Sequence, residues 1–383
     1  MFWADIFILS ILSFFVIRTC LSHFLTWGRW TKRKKTTPLD TTLPPISIIK
    51  PVRGLDQEAE ENFRSFIQAP YPAPFEVLFC VEDKDDPAVP LIQRLIAERS
   101  AAKVHLTFSR RQDQRELGKT INLMAGIKES SHEVLVLSDS DVRNSPGFLD
   151  ELVRPLTDPK IGLTYACPVY RGAANWPAGL MALAVNETIL ALSAAPRYTA
   201  IGSTIATRKD VLRAIGGIGR LRHRIGVDAA LGRAVYAKGY RIELIKQPVA
   251  VMCRTSTTKG CWEQLHRWLV TIRCYLGPGY HLFFLYGFPL PWATLYLLLS
   301  LFAGKELQGL AIWSTILFVR LASIALVNLL YAKEPAVWRY LWLTPLLDFL
   351  KVPLWAEAYI NPYVIWRGRK YRVMPDATVR PVV

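Results

Sequence analysis

The sequence predicts an α/β domain, built on a parallel sheet with crossover helices and joined to membrane segments. Short apolar runs alternate with amphipathic ones between residues 46 and 140, which is the pattern of strand–helix–strand units. Three of the apolar runs end in polar clusters, and ligands of open α/β sheets bind outside the carboxyl ends of the strands. The 383 residues are 51% hydrophobic yet 20% charged, a combination that fits a water-exposed domain attached to membrane helices.

The elements follow in chain order. Ile6 to Leu25 is almost wholly apolar and about long enough to cross a bilayer. Basic residues follow this run rather than precede it, so a retained anchor over residues 1–28 is expected, not a cleaved signal peptide. The cluster Arg29-Trp30-Thr31-Lys32-Arg33-Lys34-Lys35 places the next domain in the cytoplasm by the positive-inside rule, as at a bacterial inner membrane or its equivalent. Residues 29–45 form a basic, Pro/Thr-rich linker. Then come a strand at Ile46–Ile49, a helix at Glu58–Gln68 and a strand at Phe75–Val81 that ends in Glu82-Asp83-Lys84-Asp85-Asp86. A helix (Ala88–Ser100), a strand (Val104–Phe108), a helix (Lys119–Ser130) and a buried strand (Val134–Leu137) complete the alternation.

That last strand runs into Ser138-Asp139-Ser140-Asp141. Side chains at i and i+2 of an extended segment point the same way, so Asp139 and Asp141 can converge on one small hard cation, Mg2+ or Mn2+. Water and phosphate oxygens would complete its coordination. The same triplet can instead cap a turn through its own backbone. Lys119, in the first turn of its helix, can face a diphosphate or point to solvent. Asp228 is placed to cap the helix Ala229–Lys238 or to act on a substrate.

Ala178–Ala195 is apolar but carries Asn186 and Glu187, and reads as a core or interfacial helix. Glu263–Arg273 has apolar residues at helical spacing with cations opposite, which suits a helix lying on a membrane surface. His281–Ala303 and Leu307–Ala332 read as a membrane hairpin whose first arm Pro289 and Pro291 kink or shorten. Tyr340–Tyr359 contains Asp348, Lys351 and Glu357, so an interfacial or re-entrant element is expected rather than a third crossing. Net charge is +16, and much of it lies beside apolar runs, including Arg367-Gly368-Arg369-Lys370-Tyr371-Arg372. Anionic lipid is thus a more natural partner than nucleic acid. Six scattered cysteines without a C-x-x-C pair argue against a disulfide framework or a zinc site.

The order of motifs resembles the membrane family-2 glycosyltransferases, and within them the ceramide glucosyltransferase branch, which includes bacterial hopanoid-linked enzymes. The likeness covers about Ile46 to Leu276 and rests on Lys50-Pro51-x-x-Gly54-x-Asp56, Asp83 with Asp85-Asp86-Pro87, Lys119-x-x-Asn122, Asp139-Ser140-Asp141, Asp228 and Gln264-x-x-Arg267-Trp268. It implies a GT-A nucleotide-sugar-binding domain over 46–255, an interfacial segment over 256–280, a transmembrane hairpin over 281–332, and a last membrane or interfacial segment with a basic tail over 333–383. It implies a UDP-sugar donor, a membrane-lipid acceptor and a divalent metal. By position, Asp83 would contact the uridine, Lys119, Asn122 and Asp139 would belong to the donor site, and Asp139 and Asp141 would hold the metal. Asp228 would be the general base, and Gln264, Arg267 and Trp268 would close over diphosphate and acceptor. Where many relatives place an acidic pair, Gly226-Val227-Asp228 offers a single carboxylate. His266 falls at a variable position and is expected at the surface.

The resemblance implies inverting transfer of a hexose to a lipid hydroxyl, with ceramide first among acceptors and a hopanoid second. A processive polysaccharide synthase would need more crossings than this chain offers. A membrane-anchored, non-catalytic protein that binds anionic lipid or a nucleotide is the other reading, and the carboxylates at three strand ends discriminate, since a lipid-binding module has no use for them.

Overall fold

The computed structural model describes residues 2–31, 42–98, 102–113, 115–194 and 197–382. The basic residues at 32–35 and the linker at 36–41 lie outside the described residues. Contacts divide the chain into two units. One comprises Met1–Thr31, Tyr170–Ala194 and Arg254–Ile365; the other comprises Lys32–Val169, Ala195–Cys253 and Trp366–Val383. Neither is a continuous piece of chain.

The second unit holds a seven-stranded sheet. Its strands are β1 (Ile46–Val52), β2 (Phe75–Val81), β3 (Lys103–Phe108), β4 (Val134–Ser138), β5 (Ile161–Tyr165), β6 (Thr204–Arg208) and β7 (Arg241–Leu244), in the order β3-β2-β1-β4-β6-β5-β7. β1 and β4 are buried along their whole length; β4 is apolar up to Ser138, whereas β1 also buries Ser47 and Lys50 among its apolar residues. β1 pairs in parallel with β2 and β4. Val52 lies opposite Val81, and Ile49 opposite Leu137, so the three strands finish at one edge of the sheet.

The parallel pairing expected from the alternation of strands and helices holds among β1, β2, β3 and β4, and β6 departs from it. It runs antiparallel to both β4 and β5. The reason lies in the connections: the single-helix crossovers that enforce parallel strands stop after β4, so that constraint no longer acts on β6. The reversal has a consequence for the site. Thr204 opens β6 opposite Ser138, the last residue of β4. Gly202 and Ser203 are thereby brought to the carboxyl edge, where the Asp139 N–H donates to the Ser203 carbonyl at 2.9 Å.

The helix Gly118–Glu129 packs on this sheet through Gly126, where a Cβ would stand 2.5 Å from Cγ2 of Ile49 and 2.7 Å from Sγ of Cys80. Gly126→Val is therefore expected to destabilise the sheet unit by about 1–3 kcal/mol through overpacking. An unchanged thermal midpoint would contradict this packing.

The first unit is helical. Among the described residues, three of its helices are long and apolar enough to cross a membrane: Trp3–Thr31, Trp176–Ser193 and Glu306–Ala332. A fourth candidate is the pair Gly279–Leu285 and Pro289–Phe302, bent by 48°. The bend falls where Pro289 and Pro291 were expected to interrupt the run, because neither proline can donate to the preceding turn. Trp176–Ser193, expected to be a core or interfacial element, reaches spanning length, although it breaks into helices Trp176–Asn186 and Thr188–Ala194 around Glu187. Thr344–Ile360 is a helix but is not among the spanning candidates. On the N-terminal helix, Ile8, Leu12 and Phe15 pack against Leu290, Ala293, Tyr296 and Ile316. Phe14, Ile17, Leu21 and Phe24 on the same helix are exposed, a contiguous apolar surface suited to lipid.

Within this unit the buried guanidinium of Arg320 pairs with Asp348 at 2.8 Å and with Glu187 at 2.7 Å, and Lys351 reaches Glu187 at 3.1 Å. Charges inside apolar helices persist when each has a partner. Asn186 donates its side-chain N–H to Oδ1 of Asn328 at 2.7 Å and adds a neutral bond to the same interior.

Candidate active site

The carboxyl edge of the sheet collects charge from four local structures. β4 delivers Asp139, Ser140 and Asp141 in the turn beyond Ser138. The loop after β1 carries Asp56, whose Oδ2 accepts the Ser140 hydroxyl at 2.5 Å. The helix Gly118–Glu129 presents Lys119 from its first turn, with Nζ 2.5 Å from Oδ1 of Asp139. The helix Val227–Ala237 presents Asp228, whose Oδ2 accepts the Gly202 N–H at 3.0 Å. Lys119, Asp139, Gly202, Ser203 and Asp228 line one pocket.

Beneath it lies Lys50, fully buried against the Phe66 ring at 3.9 Å. Its ammonium donates to the Asp139 carbonyl at 2.7 Å and so fixes the turn that aims both carboxylates. Burial pulls the Lys50 pKa down to about 7, against the opposing pull of Asp139, Asp141 and Asp56.

Electrostatics separate the acids. Burial first, then the like charges of Asp139 and Asp56, push the Asp141 carboxyl up to about 7. Its Oδ1 is shut off from solvent and has no hydrogen-bond partner among the described residues. Burial also raises Asp228, although Lys119 and the N–H groups of Gly202 and Ala229 draw it back. For Lys119, burial is outweighed by Asp139 and Asp228, and its pKa rises.

Several sequence-based expectations change here. Asp228 does not cap its helix: Gly226 holds the cap position in a left-handed conformation, and Asp228 sits in the first turn with its carboxylate turned to the Gly202 loop. Lys119 is an ion-pair partner rather than a solvent-facing lysine. Asn122 is buried, accepting from the Ser109 hydroxyl at 2.5 Å and donating to the Val52 carbonyl at 3.2 Å, so it ties β1 to the loop after β3 instead of facing a ligand. Asp83 is exposed beyond β2, where its Oδ1 accepts the Asp85 N–H. Its neighbour Glu82 turns inward and grips Arg111 through two bonds of 2.9 Å.

Gln264, Arg267 and Trp268 lie in the helical unit on the helix Thr258–Leu276, at the i, i+3, i+4 spacing that gives them one face. Trp268 meets the Tyr170 ring edge-on at 6.0 Å. His266, expected at the surface, is buried and its Nε2 lies 3.1 Å from the Asn361 carbonyl. It falls on the other face of the helix beside Leu265 and Leu269, which the variable-position argument had no means of weighing.

Residues missed from sequence are Asp56, Lys50, Gly202 and Arg367. The first two stood in a recognised motif without an assigned role. Arg367 reaches Asp56 from 311 positions away, and its guanidinium pairs with both carboxylate oxygens at 2.7 and 3.0 Å.

The sheet order, with acids gathered at its carboxyl edge, is the GT-A arrangement of nucleotide-sugar transferases. A mannosyltransferase from Pyrobaculum calidifontis, solved in complex with GDP-Man and Mn2+, superposes with a TM-score of 0.51 at 16% identity, covering 93% of this chain and 99% of that one. The model of glycosyl transferase family 21 matches residues 7–379, and the chain belongs to that family. It is similar to two Caenorhabditis elegans proteins. Ceramide glucosyltransferase 1 is 21% identical over 357 residues, which cover 89% of this chain and 74% of the relative. Ceramide glucosyltransferase 3 is 24% identical over 277 residues, 68% of this chain and 58% of that one. The protein is a glycosyltransferase with membrane-type helices.

Proposed function

We propose that this protein is an inverting ceramide glucosyltransferase, which transfers glucose from UDP-glucose to a hydroxyl of ceramide on the cytoplasmic side of a membrane. The observation that carries the reading is the convergence of Lys119, Asp139 and Asp228 on one pocket at the sheet edge. The ceramide glucosyltransferase relatives support the choice of substrates.

Asp139 and Asp141 fit a divalent cation, Mg2+ or Mn2+. The donor set is all oxygen, and the buried Oδ1 of Asp141 lacks any other partner among the described residues. No three His, Cys, Asp or Glu side chains come together in ligating geometry among the described residues. Such an ion would thus take its remaining ligands from water and the donor's phosphates, which is the habit of Mg2+. Bound there, it would offset negative charge on the departing diphosphate.

The chain's own residues do the rest. Lys119 holds Asp139 in place and adds positive charge where the leaving group gathers negative charge. Asp228 accepts the proton of the acceptor hydroxyl as its oxygen attacks C1 of the sugar. The Gly202 N–H holds Oδ2 of Asp228 and the Ala229 N–H also bonds this carboxylate, which fixes its orientation. One displacement inverts the anomeric centre, so an α-linked donor gives a β-linked lipid, with UDP as the second product. Asp83, exposed beyond β2, meets the uridine of the donor.

Membranes containing the protein, incubated with labelled UDP-glucose and UDP-N-acetylglucosamine, are expected to yield labelled glucosylceramide from the first alone. A labelled polymer or an unlabelled lipid fraction would overturn the reading. Asp141→Ala is expected to abolish both transfer and its dependence on added Mn2+ or Mg2+, with the fold retained. Undiminished transfer would remove Asp141 from the cation site.

A further inference from the structure

We propose that Arg367 binds the donor's diphosphate, so that the C-terminal tail, which the sequence alone assigns to the membrane surface, completes the donor site. The inference rests on the donor reading above.

The tail is fastened to the sheet unit. Its strand Arg369–Val373 pairs antiparallel with Val379–Pro381. Beyond that pairing, the Ile225 N–H donates to the Ala377 carbonyl, the Val379 N–H to the His223 carbonyl, and the Arg224 guanidinium to the Asp376 carbonyl, at 2.8–2.9 Å. Two cations of the tail are thereby committed to protein: Arg369 lies 3.5 Å from Glu82, and Arg367 forks onto Asp56.

Arg367 and Gly368 form the two-residue turn that precedes this strand, with φ of +50° and +76°. Such a turn favours Asn, Asp or Gly at its first position, because a branched or long side chain there costs backbone strain. A strained non-glycine residue is retained where its side chain has work to do, and ligand sites are where such residues cluster. Here the strain sets the guanidinium on Asp56, which itself accepts the Ser140 hydroxyl between Asp139 and Asp141. Burial lowers the Arg367 pKa, but Asp56, then Asp141 and Asp139, raise it above its ordinary value. The cation therefore lies within the field of the proposed metal ligands.

A planar guanidinium suits phosphate oxygens as well as carboxylate, and does so bidentately. Its side chain keeps 40% of its surface exposed, so donors remain available beyond the Asp56 pair. Asp56 thus holds Arg367 ready when no donor is bound, and an arriving diphosphate finds a charge that is present at every working pH.

The test uses the full chain in detergent micelles with Mn2+, titrated with UDP and with GDP, and with uridine as a competitor lacking phosphates. Arg367→Gly removes the fork and relieves the left-handed backbone; Arg367→Lys keeps charge without the fork. The expected result is a loss of UDP affinity of tenfold or more for Arg367→Gly and a smaller loss for Arg367→Lys, with uridine competition unchanged and the thermal midpoint of Arg367→Gly no lower than that of the unsubstituted protein. UDP affinity within twofold in Arg367→Gly overturns the inference and leaves the proposed function standing. A lowered midpoint with equal losses for UDP and uridine also overturns it, by reducing Arg367 to a bolt for the tail. An unsubstituted protein that binds neither UDP nor GDP overturns the donor reading and this inference with it.

Discussion

Asp228→Asn is expected to lower kcat for lipid glycosylation by about 100- to 10,000-fold, the usual contribution of a positioned general base. Donor affinity should change little, because asparagine can still accept the Gly202 N–H. The raised pKa of Asp228 supplies a second readout. A base must be ionised to act, so kcat/KM of the unsubstituted protein should begin to fall, on acidification, at a higher pH than an ordinary aspartate would dictate. The sign for stability is opposite. A carboxyl whose folded pKa lies above its unfolded value favours the protonated form in the fold, so its ionised form costs stability at neutral pH and that cost vanishes as pH falls. Asp228→Asn should consequently melt no lower than the unsubstituted protein at pH 7. Initial rates with labelled UDP-glucose across pH, together with melting curves, measure both. A variant with full kcat would transfer the base role elsewhere.

The second large effect concerns the helical unit. Arg320→Leu is expected to cost about 3–5 kcal/mol, because it leaves Asp348 and Glu187 facing each other in an apolar interior with only Lys351 to compensate. Asp348 is fully buried, so its charge cannot be relieved by water. The paired variant Arg320→Leu with Asp348→Leu should recover much of the loss, since removing both partners is often close to neutral. Thermal unfolding of the detergent-solubilised protein distinguishes the two. If the double variant is no better than the single one, lost packing rather than an orphaned charge explains the effect.

Arg320 also shows where sequence reading reaches its limit. A lone cation inside an apolar run breaks the pattern, but its two partners, Glu187 and Asp348, come from other segments 133 and 28 residues away. Periodicity carries no information about such meetings. The strands were legible for the converse reason. β1, β2 and β4 are runs of mostly apolar, buried residues, and acids follow β2 and β4 directly in the chain. For Asn122 a motif position states which residue is present, and only the fold shows that its amide bonds Ser109 and Val52. His266, expected at the surface, was misread for that reason.

By itself, the sequence determined the alternating strands and helices, the apolar helices and the placement of Asp139 and Asp141 at a strand end, because each is a matter of neighbours within a few residues. Only the tertiary structure decided that β6 runs antiparallel, that Gly202 and Asp228 thereby meet, and that a tail 311 residues distant lays Arg367 on Asp56. Local patterns follow from the fixed periods of strand and helix. The meeting of distant charges follows from how the whole chain closes, where hydrogen-bond pairing and the cost of burying an unpaired ion select one arrangement among many.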